Sequence, residues 1–278
     1  KNNMIVNPRL YRRLGKLWAG KKVLPVRAFS TPAAEKKVIS TYHSDHCFEF
    51  TLNSPKTLNS LDMDMIDLLW VRLRGWKLEG KSPRVVFMKG AGEKAFCAGG
   101  DIKSIYNGGV KGINPNTPKD FFAKEYVVDY ALTQMDPIQI SVWNGIVMGG
   151  GVGVSVHAPI RIATEKTVFA MPETGIGFFT DVGGSYFLSR VNDNISHGLF
   201  LGVTGHRLKG IDLLYWGVAT HYIDSSKLGD LYQDIINNTT KDSSFEAVKS
   251  LVDKHSDHLA DGHEHSTHAI HLHREGHC

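Results

Sequence analysis

Two glycine-rich stretches contain backbone amides that could stabilise an oxyanion. They are Ala95 to Asp101 (AFCAGGD) and Gly145 to Gly153 (GIVMGGGVG), and each follows an apolar run. A helix that begins in the second stretch leaves its first amides unpaired and partially positive. If the two turns meet, the amides of Gly100 and Gly150 form an oxyanion hole for an acyl carbonyl, where one donor typically contributes about 3 kcal/mol.

Other chemistries fit these residues less well. A dinucleotide site requires G-x-G-x-x-G at the start of a helix, and Gly149 to Gly153 lacks that spacing. Ser155 lacks the G-x-S-x-G frame of a serine hydrolase, and Ser185 has no evident His and Asp to partner it. Cys97 lies beside the first turn, but no neighbour in the sequence would lower a thiol pKa, so we expect a packing role.

Alternating strands and helices are predicted to position the two turns. Arg84 to Met88 and Ile138 to Val142 have the composition of buried strands, and each leads into a glycine-rich loop. Further strands are predicted at 38–52, with a turn at 44–45, and at 160–163 and 167–170. Helices are predicted near 62–78, 119–134, 152–157, 181–190, 195–201 and 208–215. This order predicts an α/β fold with mostly buried strands.

The two ends of the chain differ in composition from its centre. Residues 1–34 hold eight Lys or Arg and no acid, which is typical of a mitochondrial transit peptide, with a disordered basic tail or surface-binding helix as the alternative. Histidine occupies eight of the last 24 positions. That tail has too little apolar surface to fold alone, and its spacings match no metal site, so we expect no metal.

Composition excludes several classes of protein. The net charge of +4 comes largely from the first 34 residues, so the remainder gives no indication of nucleic-acid binding. Cys47, Cys97 and Cys278 are odd in number and widely spaced, which argues against a disulfide framework or a zinc ribbon. No apolar run approaches the length of a membrane span. We therefore expect a globular protein that works in a reducing compartment.

The ordered motifs resemble the crotonase (enoyl-CoA hydratase/isomerase) superfamily. The resemblance runs through KAFCAGGDI at 94–102, NGIVMGGGVGVSVHAP and the segment after it at 144–190, and GHRLKG at 205–210. It implies a crotonase-like (ClpP/crotonase) spiral of ββα units over residues 35–240, between a transit peptide and tail at 1–34 and a divergent His-rich tail at 241–278. The family's oxyanion donors fall on Gly100 and Gly150, the pair that the physical argument selects.

Acidic residues distinguish the branches of this superfamily. Hydratases resemble one another in a catalytic Glu two residues after the third glycine, and this chain has Gly153 there. The sequence is more similar to the branch that hydrolyses 3-hydroxyisobutyryl-CoA, through MPET at 171–174 and DVGG at 181–184. The resemblance implies that Glu173 is the catalytic carboxylate, that Asp181 assists it, and that Glu125 faces the acyl end.

The implied substrate-binding residues are thus Glu125, Gly150, Glu173 and Asp181. The apolar surroundings of Glu173 would raise its pKa towards the range useful for acid/base catalysis, and Glu173 could act as nucleophile or as general base. Asp181 could instead be only a helix N-cap, and Glu125 only a solvated residue on a helix surface.

The implied activity is release of CoA from 3-hydroxyisobutyryl-CoA in valine breakdown, in the mitochondrial matrix, without a cofactor because CoA is part of the substrate. No nucleic acid or membrane partner is expected, and a homo-oligomer is possible. Two alternatives stay open, namely an enoyl-CoA hydratase/isomerase-type enzyme and a non-catalytic acyl-CoA-binding form. The second is motivated by the C-terminal helical region that the family has past residue 241, which we expect to be truncated or replaced here.

Overall fold

Two β-sheets form the framework of the computed structural model, which describes residues 37–112 and 114–257. One sheet has the strand order β1-β2-β3-β5-β7-β10 and the other the order β4-β6-β8-β9. All neighbouring strands are parallel except the pairs β1/β2 and β8/β9. In chain order the strands are β1 Val38–Tyr42, β2 Cys47–Leu52, β3 Val85–Gly90, β4 Ala95–Cys97, β5 Ile138–Trp143, β6 Ile146–Met148, β7 Ile160–Ala163, β8 Val168–Ala170, β9 Leu208–Lys209 and β10 His221–Tyr222.

The chain repeats one path through the two sheets. β3, β5 and β7 lie side by side in the larger sheet, and each is followed after a short turn by a strand of the smaller sheet, β4, β6 and β8. Parallel strands require a connection that returns the chain to its starting edge, and helical segments supply it here. This repeat is the predicted spiral of ββα units, and the predicted α/β fold is confirmed.

Helices surround the sheets. They are α1 Met63–Glu79, α2 Ile102–Gly109, α3 Thr117–Thr133, α4 Gly150–Gly153, α5 Gly184–Leu188, α6 Ile195–Thr204, α7 Asp212–Tyr215, α8 Leu228–Asn238 and α9 Phe245–His255. None of the helices in the described part of the chain is long and apolar enough to cross a membrane.

Three of the predicted helices differ from the observed elements. The helix expected at 181–190 is the shorter α5, which begins only at Gly184 and ends at Leu188. The helix expected at 152–157 is the single turn α4, which begins earlier, at Gly150, and ends at Gly153. The helix expected at 208–215 is instead strand β9 followed by α7, because Leu208 pairs with Phe169 of β8 and Gly210 takes a left-handed conformation with φ of 48°. Pairing within the sheet therefore overrides the helical pattern.

The chain remains ordered past residue 240. Helix α9 buries Val248, Leu251 and Val252 against the larger sheet, and Nε2 of His221 in β10 lies 2.9 Å from a carboxylate oxygen of Asp253 in α9. The sequence analysis did not predict this helix within the His-rich tail. The rest of that tail, 258–278, and the predicted transit peptide lie outside the described residues.

Candidate functional site

Three neighbouring strands of the smaller sheet end beside one another and carry site residues at their carboxyl ends. β4 and β8 flank β6, and all three are parallel. Gly100 follows the end of β4 by three residues, Gly150 follows β6 by two, and Glu173 follows β8 by three. Because parallel strands end at the same edge, residues that are distant in sequence are brought together.

The amides of Gly100 and Gly150 lie next to each other, as the sequence predicts. A Cβ built on Gly150 would lie 3.3 Å from the amide nitrogen of Gly100. The Leu61 amide donates to the Gly99 carbonyl at 2.8 Å, and the Asp101 amide donates to the Leu61 carbonyl at 2.7 Å, which fixes the first turn. Within the described residues neither glycine amide donates to a protein acceptor. Both donors are therefore available to an acyl oxygen.

Glu125 projects from α3 towards these glycines and is 2% exposed. Its Oε1 lies 2.3 Å from the position that a Cβ on Gly150 would occupy, and within the described residues that oxygen has no hydrogen-bond partner. Burial, with the charges of Asp181 and then Glu173, raises the pKa of Glu125 to about 8. The alternative that Glu125 is a solvated helix residue is therefore wrong.

Glu173 opens a short 3₁₀ helix after β8 and is 7% exposed. Its Oε1 lies 2.9 Å from the position of a Cβ on Gly149, whose φ of 48° favours glycine. Its Oε2 is buried without a hydrogen-bond partner in the described structure. Burial, with a smaller effect from Asp181, raises the pKa of Glu173 to about 7, where a carboxyl group exchanges protons readily at neutral pH.

Asp181 lies on the loop that leads into α5 and is buried. The hydroxyl of Tyr126 donates to its Oδ2 at 2.7 Å. Burial raises the pKa of Asp181, and this hydrogen bond partly opposes the increase. The alternative role as helix N-cap is wrong, because α5 is capped by Gly183 and has no side-chain cap.

One cavity of about 420 Å³ unites these residues. Its lining includes Gly100, Gly150, Glu125, Glu173 and Asp181, and none of the described residues that line it is Lys, Arg or His. The rest of the wall is largely apolar and includes Ile102, Ile105, Tyr106, Val110, Phe121, Phe122, Ile176 and Phe178. A space with two free amides, three acidic groups and an apolar wall suits an uncharged acyl group that develops negative charge on its oxygen.

Cys97 and the two histidines nearest in sequence to the motifs do not line this cavity. Cys97 is buried, and burial raises the pKa of its thiol to about 12, in keeping with a packing role. His206 is exposed, and its ring lies 5.1 Å from that of Phe200. His157 lies outside the cavity. No group of three or more potential metal ligands occurs in residues 37–112 and 114–257.

Two residues of α3 near the site, Tyr126 and Asp129, were not predicted from the sequence. Asp129 is one helical turn after Glu125, and it is 5% exposed with no partner for either carboxylate oxygen within the described residues. The one pattern in the sequence that indicates Asp129 is its position four residues after Glu125, which puts both side chains on the same face of a helix. The sequence did not indicate which face of α3 is buried.

Replacement of Glu125 by Gln should stabilise the protein at alkaline pH. The pKa of Glu125 is raised in the folded protein. The stability that its protonated form contributes is therefore fully present below the ordinary carboxyl pKa and is lost as pH rises through about 8. Glutamine never ionises, so the variant should unfold at higher urea concentration than the parent at about pH 9, with a smaller difference at about pH 5. An equal increase in the urea concentration of unfolding at both pH values would contradict this expectation. The same would follow if Glu93→Gln, at an exposed position, gave the same increase.

Comparisons with known proteins agree with this architecture. The chain matches the Enoyl-CoA hydratase/isomerase family over residues 47–275. Two curated relatives are named 3-hydroxyisobutyryl-CoA hydrolase, mitochondrial. The one from Danio rerio is 46% identical over 207 residues, which are 74% of this chain and 52% of that protein. The one from Dictyostelium discoideum is 40% identical over 239 residues, 84% of this chain and 60% of that protein. The chain thus spans little more than half the length of these relatives.

Solved structures with the same fold include two proteins whose names refer to CoA esters. A carnitinyl-CoA dehydratase from Mycobacterium thermoresistibile superposes with a TM-score of 0.69 at 33% identity, covering 81% of this chain and 62% of the other. An enoyl-CoA hydratase from Rhodobacter sphaeroides superposes with a TM-score of 0.66 at 29% identity, covering 78% and 65%. With its two-sheet spiral, its paired glycine turns and the match over most of its length, the chain belongs to the enoyl-CoA hydratase/isomerase family.

Proposed function

We propose that this chain carries the catalytic centre of an acyl-CoA thioester hydrolase that releases CoA from 3-hydroxyisobutyryl-CoA. The observation that carries the proposal is a single cavity lined by two residues with free amides, Gly100 and Gly150, and by a buried carboxyl group, Glu173, of pKa about 7. The names of the curated relatives supply the substrate.

The proposed reaction begins with the thioester carbonyl oxygen at the amides of Gly100 and Gly150. In one route Glu173 takes a proton from water, whose oxygen bonds to the acyl carbon. The tetrahedral oxyanion collapses, the carbon–sulfur bond breaks, and the thiolate takes the proton. In the other route the Glu173 carboxylate attacks the acyl carbon and expels the thiolate, and water then cleaves the resulting anhydride. In both routes negative charge develops on the acyl oxygen, to which the two amides donate hydrogen bonds.

Two further carboxyl groups support this reaction. In the proposal Asp181, which accepts a hydrogen bond from the Tyr126 hydroxyl, holds the attacking water or stabilises protonated Glu173. Glu125, of pKa about 8, is neutral at pH 7 and can donate a hydrogen bond to the acyl end of the substrate. A neutral acid there avoids repulsion of the oxyanion that forms beside it.

Hydration of an enoyl-CoA, the alternative within the family, is not favoured by the space around Gly153. A Cβ at that position would lie 2.5 Å from Cβ of Val182 and 2.9 Å from Oδ2 of Asp129. The catalytic acid that hydratases carry there therefore has no room. The second alternative, a non-catalytic acyl-CoA-binding form, requires the same cavity without turnover.

A thiol-release assay distinguishes these possibilities. The protein is incubated with 3-hydroxyisobutyryl-CoA, free CoA is followed with a thiol reagent, and the acid product is measured in parallel. Stoichiometric appearance of acid and CoA over many turnovers supports the hydrolase. In a parallel incubation with an enoyl-CoA, consumption of that substrate without thiol release would indicate a hydratase. Binding of 3-hydroxyisobutyryl-CoA without either product would indicate a non-catalytic form.

The rate of hydrolysis should rise with pH through about 7 and then level off. Glu173 acts in its ionised form in both routes, and its pKa is about 7, so kcat should fall about tenfold for each pH unit below that value. The charge of Asp181 contributes to the raised pKa, so Asp181→Asn should move the inflection to lower pH. A pH–rate profile of each protein measures the inflection. If the inflection of Asp181→Asn lies at the same pH as that of the parent, the charge of Asp181 does not raise the pKa of Glu173.

The setting of the proposed activity follows from the relatives and from the first residues of the chain. The curated relatives are named mitochondrial proteins, and residues 1–34 have the composition of a transit peptide, so we place the protein in the mitochondrial matrix and the reaction in valine breakdown. A homo-oligomer is part of the proposal. Import of a reporter fused to residues 1–34 and the mass of the purified protein in solution test these two points.

A further inference from the structure

Aromatic rings lie between the acyl cavity and a second cavity, which is lined by residues of α3 and of the segment 179–186. The second cavity has a volume of about 750 Å³, and Asp181 lines both spaces. Phe122 and Phe178 line the acyl cavity, whereas Tyr126 and Phe179 line the second one. The ring centroids of Phe122 and Tyr126 are 6.0 Å apart, and those of Phe178 and Phe179 are 4.5 Å apart. Each of the two rings on the acyl side therefore has a ring of the second cavity as its direct neighbour.

Phe122 and Phe178 connect two separate elements. Phe122 lies on α3, and Phe178 lies just after the 3₁₀ helix that Glu173 opens. The two ring centroids are 5.3 Å apart at an interplanar angle of 21°, a stacked arrangement at a distance that aromatic pairs prefer. Phe121 packs edge-on against Phe122 with centroids 5.5 Å apart, and the Phe178 amide donates to the Glu173 carbonyl at 3.0 Å. Each ring is thus also fixed by contacts within its own segment.

The ring pair stands on the side of the cavity towards which an acyl group extends. In the proposed reaction the thioester carbonyl lies at the amides of Gly100 and Gly150. The CoA part carries charged phosphates, so it has to stay in contact with water. The exposed residues of the cavity wall, which mark its solvent side, include Ile102, Tyr106, Val110 and Ile176. Phe122 and Phe178 are partly buried and Asp181 is buried, so the acyl group extends towards them.

We propose that the Phe122–Phe178 ring pair determines specificity by closing the acyl cavity towards the second cavity, which limits the substrates to CoA thioesters of short acyl groups. The inference rests on the proposed thioesterase function and specifies its substrate class. A longer chain would have to displace one of the two stacked rings. Packed side chains resist such displacement, and a methylene group without space lowers kcat/KM.

Removal of one ring should give a longer acyl chain access to the second cavity. That cavity can receive an alkyl chain because much of its wall is apolar, with contributions from Tyr130, Phe179, Val182 and Tyr186. Each methylene group that becomes buried there should strengthen binding up to about fourfold. The loss of a ring should therefore favour long acyl groups over short ones.

Two thioesters measure this limit in the whole chain. 3-Hydroxyisobutyryl-CoA and the linear 3-hydroxyoctanoyl-CoA carry the same 3-hydroxy group, and kcat/KM is determined for both with each protein. The parent should prefer the shorter thioester by at least about a hundredfold. Phe178→Ala should reduce this preference at least about tenfold, mainly through a higher kcat/KM for the longer thioester, and Phe122→Ala should act in the same direction. The ratio of two substrates does not depend on the amount of folded protein, so a purely structural role would leave it unchanged.

A milder variant and a matched control complete the experiment. Phe178→Leu keeps a large apolar side chain, which the fold accommodates more readily, but opens part of the gap, so the preference should fall about threefold. This variant decides the question if neither alanine variant folds. Phe200→Ala removes a partly buried ring of α6 that packs against His206 and lines neither cavity, so the preference should equal that of the parent.

The outcomes separate the inference from the proposed function. If the parent hydrolyses 3-hydroxyisobutyryl-CoA but the variants of Phe122 and Phe178 keep its preference, the ring pair does not limit the acyl group and the hydrolase function stands. Equal kcat/KM of the parent for both thioesters, or the same shift with Phe200→Ala, would overturn the inference in the same way. If the parent releases no CoA from 3-hydroxyisobutyryl-CoA, the proposed function fails and the inference fails with it.

Discussion

Glu173→Gln should lower kcat for CoA release from 3-hydroxyisobutyryl-CoA by about a thousandfold, because glutamine can neither accept a proton nor attack the acyl carbon. The side chain keeps its shape, so substrate binding should change little. Because Oε2 of Glu173 is buried without a hydrogen-bond partner in the described structure, replacing this carboxyl group should leave the folded state as stable as before or more so. Steady-state thiol release, together with the thermal midpoint, measures both effects.

A matched control is available on the surface. Glu93 has a side chain that is 85% exposed, so Glu93→Gln removes the same charge outside the cavity and should retain full activity. If Glu173→Gln keeps kcat within about tenfold of the parent, Glu173 is neither the base nor the nucleophile. Single-turnover measurements on the parent then separate its two possible roles, because a burst of CoA before the acid appears requires a covalent intermediate.

Gly150→Ala should reduce kcat/KM by at least about a hundredfold, the loss expected for one oxyanion donor. The new methyl group would lie 2.3 Å from Oε1 of Glu125 and 3.3 Å from the amide nitrogen of Gly100. It therefore occupies the space of the acyl oxygen and displaces the carboxyl group that faces it. Kinetics with the thioester measure the loss, and circular dichroism checks that the fold is intact.

Gly229→Ala is the control for this substitution. Gly229 lies in α8, where an added Cβ meets nothing within 4 Å, so the same chemical change should be neutral or slightly stabilising. Normal turnover by Gly150→Ala would show that the acyl oxygen binds elsewhere. That result would contradict the assignment of the cavity as the reaction centre.

The glycine turns were predictable from sequence because a short-range pattern encodes them. Each turn is an apolar strand followed by small residues, and the parallel pairing of β4 with β6 then brings Gly100 beside Gly150. Glu173, which only the family resemblance implied, lies three residues after the end of β8. The two glycine turns are specified by strand ends, which a single sequence shows clearly.

Residues that depend on helix orientation were harder to predict. Glu125 could be a surface residue or a site residue until the packing of α3 is known, and its burial comes from contacts across the chain, including the Lys124–Asp67 ion pair at 2.7 Å between α3 and α1. Tyr126 and Asp129 were not predicted, because helical spacing from Glu125 indicates a site residue only once the buried face of α3 is known. Helix α9 was missed although its buried residues Val248, Leu251 and Val252 have the spacing of an amphipathic helix.

The absence of a side chain at residue 153 constrains how this protein can change by mutation. A glutamate at residue 153 would collide with Val182 and would bring another carboxyl group against Asp129. A single substitution there should therefore impair the protein before any new reaction can be gained. Smaller residues at 182 and an uncharged residue at 129 would have to come first. Changes at residues 182 and 129 therefore have to precede a glutamate at residue 153. This required order of mutations limits how the cavity could acquire the catalytic acid of the family's hydratases.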